Sequence, residues 1–363
     1  MSTALVVGAG PAGCAAAILL ARGGLDVLLI DKTLPRDKLC GGLVTEKAWA
    51  LLTGRLGLGS PDLGGEVSRR FEIFDGKAFL NDAESPHLLR FLPRARFDAF
   101  LLDAAAKAGC RVERGEFRGL SEGAAVVDGR VVRFKCLVGA DGVFSAVARA
   151  IGESLPQKSL AVGLQADVPR AGRVSDLHAA RIFFGYLELG WGWAFPKGDT
   201  ICIGLGGIPG TREDVSAVFR RLLADCEVAN AGTLPIRGAK LPNEEYLREP
   251  ASGNVFLCGD AAGFAEPLTG EGIHAALLSG ILAAESILGG TGAEERYNEA
   301  CRKQVTPIFG QARLARSLLF REPFRTLALR RFKRGKGAMR RFLGVLAGES
   351  DYKRFFLDSL LGR

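Results

Sequence analysis

Ala4-Leu5-Val6-Val7-Gly8-Ala9-Gly10-Pro11-Ala12-Gly13 opens the chain, and Asp26-Val27-Leu28-Leu29-Ile30-Asp31-Lys32 follows after one helix-length interval. Ala4–Val7 is apolar throughout, as a strand buried on both faces of a parallel sheet must be. Gly8, Gly10 and Gly13 form a GxGxxG turn, whose glycines permit a tight bend and close approach of backbone to a pyrophosphate. Pro11 suits the first turn of a helix, where its missing N–H has no cost, and Gly23-Gly24 ends that helix. The second apolar run closes on Asp31, 18 residues past Gly13, where a carboxylate can accept hydrogen bonds from ribose hydroxyls. Strand, glycine turn, helix, strand and acid together predict a dinucleotide site at the N-terminus of the first helix.

The rest of the composition fits an α/β protein. At 363 residues the chain exceeds the usual single-domain size, and 48% hydrophobic with 24% charged residues excludes a disordered or fibrous chain. Residues 1–21 carry no charge, as a signal peptide or membrane span would, but no Lys or Arg precedes the apolar run and glycines interrupt it. The eight cysteines include no CxxC pair, so neither a metal site nor a disulfide framework is expected. Residues 313–363 hold 14 Lys/Arg against 4 Asp/Glu, leaving 34 against 36 for the remainder. The net charge of +8 therefore comes from the tail, and a nucleic-acid partner is not expected.

Further motifs follow in order. Pro35-Arg36-Asp37-Lys38-Leu39-Cys40-Gly41-Gly42 is a basic, glycine-containing loop. Arg94-x-x-Phe97-Asp98 opens a helix expected over 97–108, leading to a strand at 111–113. Asp128-Gly129 between β-branched runs signals a hairpin. Cys136-Leu137-Val138-Gly139-Ala140-Asp141-Gly142 and Val255-Phe256-Leu257-Cys258-Gly259-Asp260 are apolar strands ending in acidic turns. Pro267-Leu268-Thr269-Gly270-Glu271-Gly272 leads into a helix over Ile273–Leu288. Between these sets, strands are expected at 161–168, 179–185, 191–195 and 200–206, then a helix over 211–227. Gly204-Leu205-Gly206-Gly207-Ile208-Pro209 imitates a second dinucleotide turn, but no acid-ended strand follows it.

This ordered set resembles the FAD-binding flavoproteins of the p-hydroxybenzoate hydroxylase type. The resemblance implies a Rossmann-like FAD domain built from 1–68, 94–152 and 251–288. An inserted sheet-rich substrate domain would comprise 69–93 and 153–250, with a basic helical region at 289–363. It implies FAD contacts from Gly8, Gly10, Ala12, Gly13, Asp31, Lys32, Cys40, Gly41, Arg94, Asp141 and Asp260. Pro267, Gly270, Gly272 and Ile273 would border the flavin ring, where the positive end of the last helix stabilises reduced flavin.

Two features narrow the resemblance. The Cys40 loop and Trp191-Gly192-Trp193-Ala194-Phe195-Pro196 are similar to the geranylgeranyl reductase family, which saturates double bonds of isoprenoid chains on lipids, chlorophylls or quinones. That likeness implies catalytic roles for Cys40, Trp193 and Phe195, and an apolar isoprenoid substrate. Only one dinucleotide turn is present, so electrons would come from NAD(P)H in transient contact or from a ferredoxin-like carrier. The Trp-x-Trp-x-Phe-Pro segment also resembles flavin halogenases, leaving a monooxygenase or halogenase as the alternative. Two tryptophans two residues apart are also what an ordinary packed strand face would show. His274, in the first turn of the last helix, could touch the cofactor, and Glu271 could relay a proton. The tail interleaves Phe320, Phe324, Phe332 and Phe342 with arginine and lysine. Such helices suit either the surface of an anionic membrane or a cap on the FAD domain. A cytoplasmic protein, with peripheral contact at the inner membrane face, is the expected setting.

Overall fold

The computed structural model describes residues 4–170, 177–208, 210, 214–229, 231–347 and 352–355. Ala4–Val7 lies inside a six-stranded sheet, paired in parallel with Val27–Asp31 on one side and Cys136–Gly139 on the other. Arg111–Arg114 and Val255–Leu257 extend it in parallel, and Ala251–Ser252 closes one edge antiparallel. The central strands are buried along their whole length, which explains their unbroken apolar sequence.

The GxGxxG turn follows from close contact. Gly8 has φ +104°, and a Cβ there would stand 2.2 Å from the Ala140 carbonyl oxygen. The helix it launches, Pro11–Arg22, packs against Ile273–Leu288. At Gly280 the two come together so closely that a Cβ would lie 2.1 Å from the Ala12 carbonyl oxygen. The expected hairpin forms with Asp128 at φ 46° and Gly129 at φ 79°, the left-handed pair of a two-residue turn.

A second sheet of eight strands runs in the order Arg237–Pro242, Leu160–Pro169, Thr200–Ile208, Leu189–Lys197, Ala180–Phe184, Glu66–Asp75, Ala78–Phe91, Leu43–Val44. It is antiparallel except where Ala180–Phe184 pairs in parallel with Glu66–Asp75. The four strands expected between 161 and 206 each form, longer by a residue or more at most of their ends. The imitation glycine turn is simply the end of Thr200–Ile208, with Pro209 outside the described residues. The helix expected over 211–227 runs Val215–Asp225, and its first residues likewise lie outside the described set. The hairpin from Glu66 to Phe91 was not foreseen as strands. Its exposed positions mix Arg69, Arg70, Lys77 and Glu84 with Val67, Ala78 and Phe79, and only Phe71, Ile73, Ala83, Leu89 and Phe91 turn into the core with Ser85.

The basic tail has a definite seat. Phe309–Leu319, Phe324–Arg334 and Lys336–Ala347 are helices, and the latter two pack on the hairpin strand Ala78–Phe91. Phe320, Phe332, Met339 and Leu343 join Phe71, Phe184 and Phe195 in one buried cluster. The last two helices thus cover the second sheet, while Phe309 at the start of the first is buried in the core around the six-stranded sheet. Arg330, Lys333, Arg334 and Arg340 stay exposed. Among the described residues, no helix is long and apolar enough to cross a membrane.

Candidate active site

A cavity of about 260 Å³ is walled by the 38–45 loop, the second sheet, the 265–273 loop and the tail helices. The helix expected to open at 97 begins at Arg94 instead, which puts Arg94 and Asp98 one turn apart on the same face. Arg94 holds Asp98 in a bidentate pair at 2.8–3.0 Å, with both side chains buried. Asp98 also meets Arg36 Nε at 3.3 Å, and Arg36 reaches Asp31. Asp31 is buried and accepts from the Ala9 N–H at 2.8 Å, so it braces the glycine turn. A line of alternating charge therefore runs from the dinucleotide turn to the cavity.

Cys40 stands at the end of that line. It is half-buried, whereas the other seven cysteines are buried. Burial pushes its thiol pKa up. The Arg94 guanidinium, the Gly42 N–H donating to Sγ at 3.3 Å, and Lys197 outweigh this and hold it below the ordinary value. Lys197 is buried, and its Nζ donates to the Cys40 carbonyl at 2.9 Å.

Trp191, Trp193 and Phe195 alternate along one strand and so share a face. Trp193 stacks on Phe195 with centroids 6.2 Å apart, and Trp191 meets Trp193 edge-on at 5.6 Å. A Cβ at Gly41 would come within 3.1 Å of the Phe195 ring and 3.3 Å of Trp193 Nε1. The thiol loop thus lies directly on the aromatics, and glycine at 41 sets that separation. Cys40, Gly41, Trp193 and Phe195, far apart in sequence, all line the cavity.

Asp260, Pro267, Gly270, Gly272 and Ile273 form the opposite wall. Asp260 rides on the short turn Gly259–Ala262 and pairs with Lys38. Glu271 pairs with Lys47 at 3.1 Å and accepts from the His274 N–H at 2.9 Å. Burial would raise Glu271, but Lys47 and His274 bring its pKa below the ordinary carboxylate value. His274 is driven down to about 4, chiefly by burial, and is neutral at pH 7. Glu266 is raised by burial, although the Thr269 hydroxyl and the backbone N–H groups of Thr269 and Leu268 donate to it. From the tail, Arg316 donates to the Pro267 carbonyl at 3.3 Å and pairs with Glu244 at 2.7 Å.

Seven expected cofactor residues lie outside the cavity lining: Gly8, Gly10, Ala12, Gly13 and Asp31 around the glycine turn, and Lys32 and Asp141. Lys32 is exposed, and its carbonyl accepts from Arg114 Nε at 3.3 Å. The Asp141 carboxylate accepts from Ser145 Oγ at 2.5 Å and from the N–H groups of Ala146 and Val147 at 2.6 and 3.2 Å. It orders the helix Ala146–Ala150, and burial raises its pKa despite those donors. Sequence reasoning missed Lys197, Arg316, Glu266, Lys47 and Tyr352. Only Lys197, directly after Phe195-Pro196, carried a local signal.

The residues present fit a dinucleotide flavin. The helix Pro11–Arg22 starts after Gly10, which offers no capping side chain, so its first N–H groups can receive phosphate. A Cβ at Gly13 would overlap the Gly8 carbonyl at 1.8 Å, so only glycine allows this turn. Thr45 Oγ1 and Asn243 Oδ1, buried on the cavity wall, have no hydrogen-bond partner among the described residues. Polar edges of a bound ring would satisfy such atoms.

Comparison with known proteins agrees. The family model for an FAD binding domain matches residues 1–186. A menaquinone reductase of Mycolicibacterium smegmatis is 32% identical over 315 residues, covering 79% of this chain and 76% of that one. A chloroplastic geranylgeranyl diphosphate reductase of Nicotiana tabacum is 27% identical, covering 79% and 66%. The fold matches a geranylgeranyl bacteriochlorophyll reductase-like protein of Thermoplasma acidophilum, with a TM-score of 0.81 at 19% identity over 98% of each chain. This chain is an FAD-binding oxidoreductase and belongs to the geranylgeranyl reductase family.

Proposed function

We propose that the enzyme saturates carbon–carbon double bonds of an isoprenoid chain carried by a diphosphate, lipid, chlorophyll or quinone. The observation that carries this is a cysteine with a lowered thiol pKa facing an apolar, aromatic-lined cavity whose other wall is the 265–273 loop. The glycine turn and that loop would hold FAD, which when bound and reduced would supply the hydride for one alkene carbon. Saturation also needs a proton on the other carbon, and Cys40 Sγ–H is the donor. The thiolate left behind is held by Arg94, the Gly42 N–H and Lys197, and is reprotonated from solvent before the next turnover. Trp193 and Phe195 align the chain, exclude water, and offer π faces to the positive charge that develops as the alkene is protonated.

On this reading the second sheet is the substrate domain, and Gly8, Gly10, Ala12, Gly13, Asp31 and Arg94 serve the cofactor. NAD(P)H or a ferredoxin-like carrier renews the reductant. The exposed tail arginines bring the enzyme to an anionic membrane face. The test uses chemically reduced holoenzyme without oxygen, supplied with geranylgeranyl diphosphate or a menaquinone. Mass spectrometry should find product heavier by two hydrogens per turnover. A monooxygenase or halogenase would be silent under those conditions, so product formed only with dioxygen overturns the proposal.

A further inference from the structure

We propose that the C-terminal helices build a second apolar chamber that receives the distal isoprene units of the substrate while the reacting double bond lies beside Cys40. This rests on the reductase reading above and extends it to where the rest of the chain goes.

A second cavity of about 250 Å³ lies against the first. Leu268, Leu319 and Phe342 line both, so these three side chains are the partition between them. Leu268 belongs to the 265–273 loop, and Leu319 and Phe342 to the tail. Beyond the partition the wall is nearly all tail, with Ala315, Leu318, Ala328, Phe332 and Ala338 turned inward. Among the described residues, Arg331 is the only charged side chain there. Tyr352 contributes its ring, while its hydroxyl is engaged by Glu266.

The occupant follows from this lining. A polar ligand would leave its groups unpaired, at a cost that excludes it. A flexible hydrocarbon gains from every methylene removed from water. Continuity through Leu268, Leu319 and Phe342 selects a ligand that reaches in from the flavin-side cavity. Phe324 and Leu327 line the far side at 50% and 49% exposure, so the chamber ends at an apolar rim facing outward. A chain longer than the two cavities can emerge there. The tail thus selects long polyprenyl chains over short ones.

The test is photoaffinity capture on the full-length holoenzyme. The probe is a geranylgeranyl diphosphate analogue with a diazirine on its terminal isoprene unit. Irradiation and peptide mapping should place the adduct between residues 324 and 332, which line the second chamber and not the first. In parallel, Ala328→Trp fills the chamber, and kcat/KM for the geranylgeranyl chain relative to the geranyl chain should fall by about tenfold or more. Saturation of geranylgeranyl diphosphate with an adduct elsewhere overturns the chamber and leaves the reductase reading intact. An unchanged ratio in an Ala328→Trp protein that holds FAD and melts like the parent does the same. Neither saturation nor any adduct overturns both. The photoprobe needs no variant, so a poorly folding Ala328→Trp still leaves a decisive result.

Discussion

Cys40 should be the one thiol that native enzyme surrenders to iodoacetamide, at a pH where ordinary cysteines react slowly. Only the thiolate attacks, so the rate at each thiol follows its ionised fraction and its access. At pH 7.5 a free cysteine, with a pKa of about 8.5, is about 10% ionised. Burial pushes Cys110, Cys136 and Cys202 up to about 11, and Cys226 and Cys258 to about 12. A thiol at about 11 is ionised to about 0.03% at that pH. Cys14 and Cys301 are pushed higher still by burial. Cys40 is held below the ordinary cysteine value, so its thiolate fraction exceeds theirs before access is counted.

The assay is mass spectrometry of carbamidomethylated peptides across pH 6 to 10. One equivalent should enter at Cys40, with a midpoint below that of a free cysteine. Arg94→Met combined with Asp98→Asn removes the cation nearest the thiol without leaving Asp98 as a carboxylate short of a partner. Burial then acts with less opposition, so the midpoint should move upward. If Sγ–H donates the proton, kcat falls as pH rises through the Cys40 midpoint. A midpoint that ignores the double variant, or labelling spread over several cysteines in folded protein, refutes the electrostatic argument.

His274, neutral in the folded state with a pKa near 4, stabilises the protein fully above about pH 6.5 and progressively less as pH falls toward 4. The loss is up to about 3 kcal/mol, less for solvent exposure, and His274→Gln should flatten the melting-temperature profile in that window. Gly280→Ala should cost about 3 kcal/mol in urea unfolding, because its Cβ meets the Ala12 carbonyl oxygen, a backbone atom that cannot step aside. Tyr352→Phe strips a hydroxyl from buried Glu266 and should lower stability by about 1–3 kcal/mol, measured the same way. Reversing Arg330, Lys333 and Arg334 to Glu should abolish salt-sensitive sedimentation with anionic liposomes, since each exposed cation contributes about 1 kcal/mol. Binding that survives the reversal removes the membrane role.

The fold was legible where sequence and backbone obey one short-range rule. Ala4–Val7, the glycine turn and Asp31 belong to a single strand–turn–helix–strand unit, so their spacing alone announces them. The hairpin from Glu66 to Phe91 was not legible. Its exposed positions mix Arg69, Arg70 and Glu84 with Val67 and Phe79, so no clean alternation marks it, and its partner strand lies more than 90 residues away at Ala180–Phe184. Trp193 and Phe195 were found by motif. Their contact with Gly41 depends on a crossing between sheets that no local pattern records. Arg316 and Tyr352 were hidden by their setting, because a basic tail reads as solvated surface. Only the packing of its helices shows Arg316 turned inward onto the 267 carbonyl.

The electrostatics of the site explain why its reactive thiol and its apolar cavity can coexist. A carbocation-like alkene needs a dry pocket, yet dryness raises a thiol's pKa and discourages the thiolate that proton donation leaves behind. The chain separates the two demands in space. Arg94 and Lys197 are buried behind the Cys40–Gly42 turn, compensated by Asp98 and Asp167, so no uncompensated charge is held in the core. Arg94 and Lys197 hold the Cys40 thiol below its ordinary value, while Trp193, Phe195 and Leu268 line the apolar cavity. The Arg36–Asp31 pair extends the same charge line to the glycine turn. The glycine turn and the thiol therefore sit at opposite ends of one ionic chain. Breaking it at Asp98 should disturb both ends, whereas removing an aromatic should disturb only the substrate.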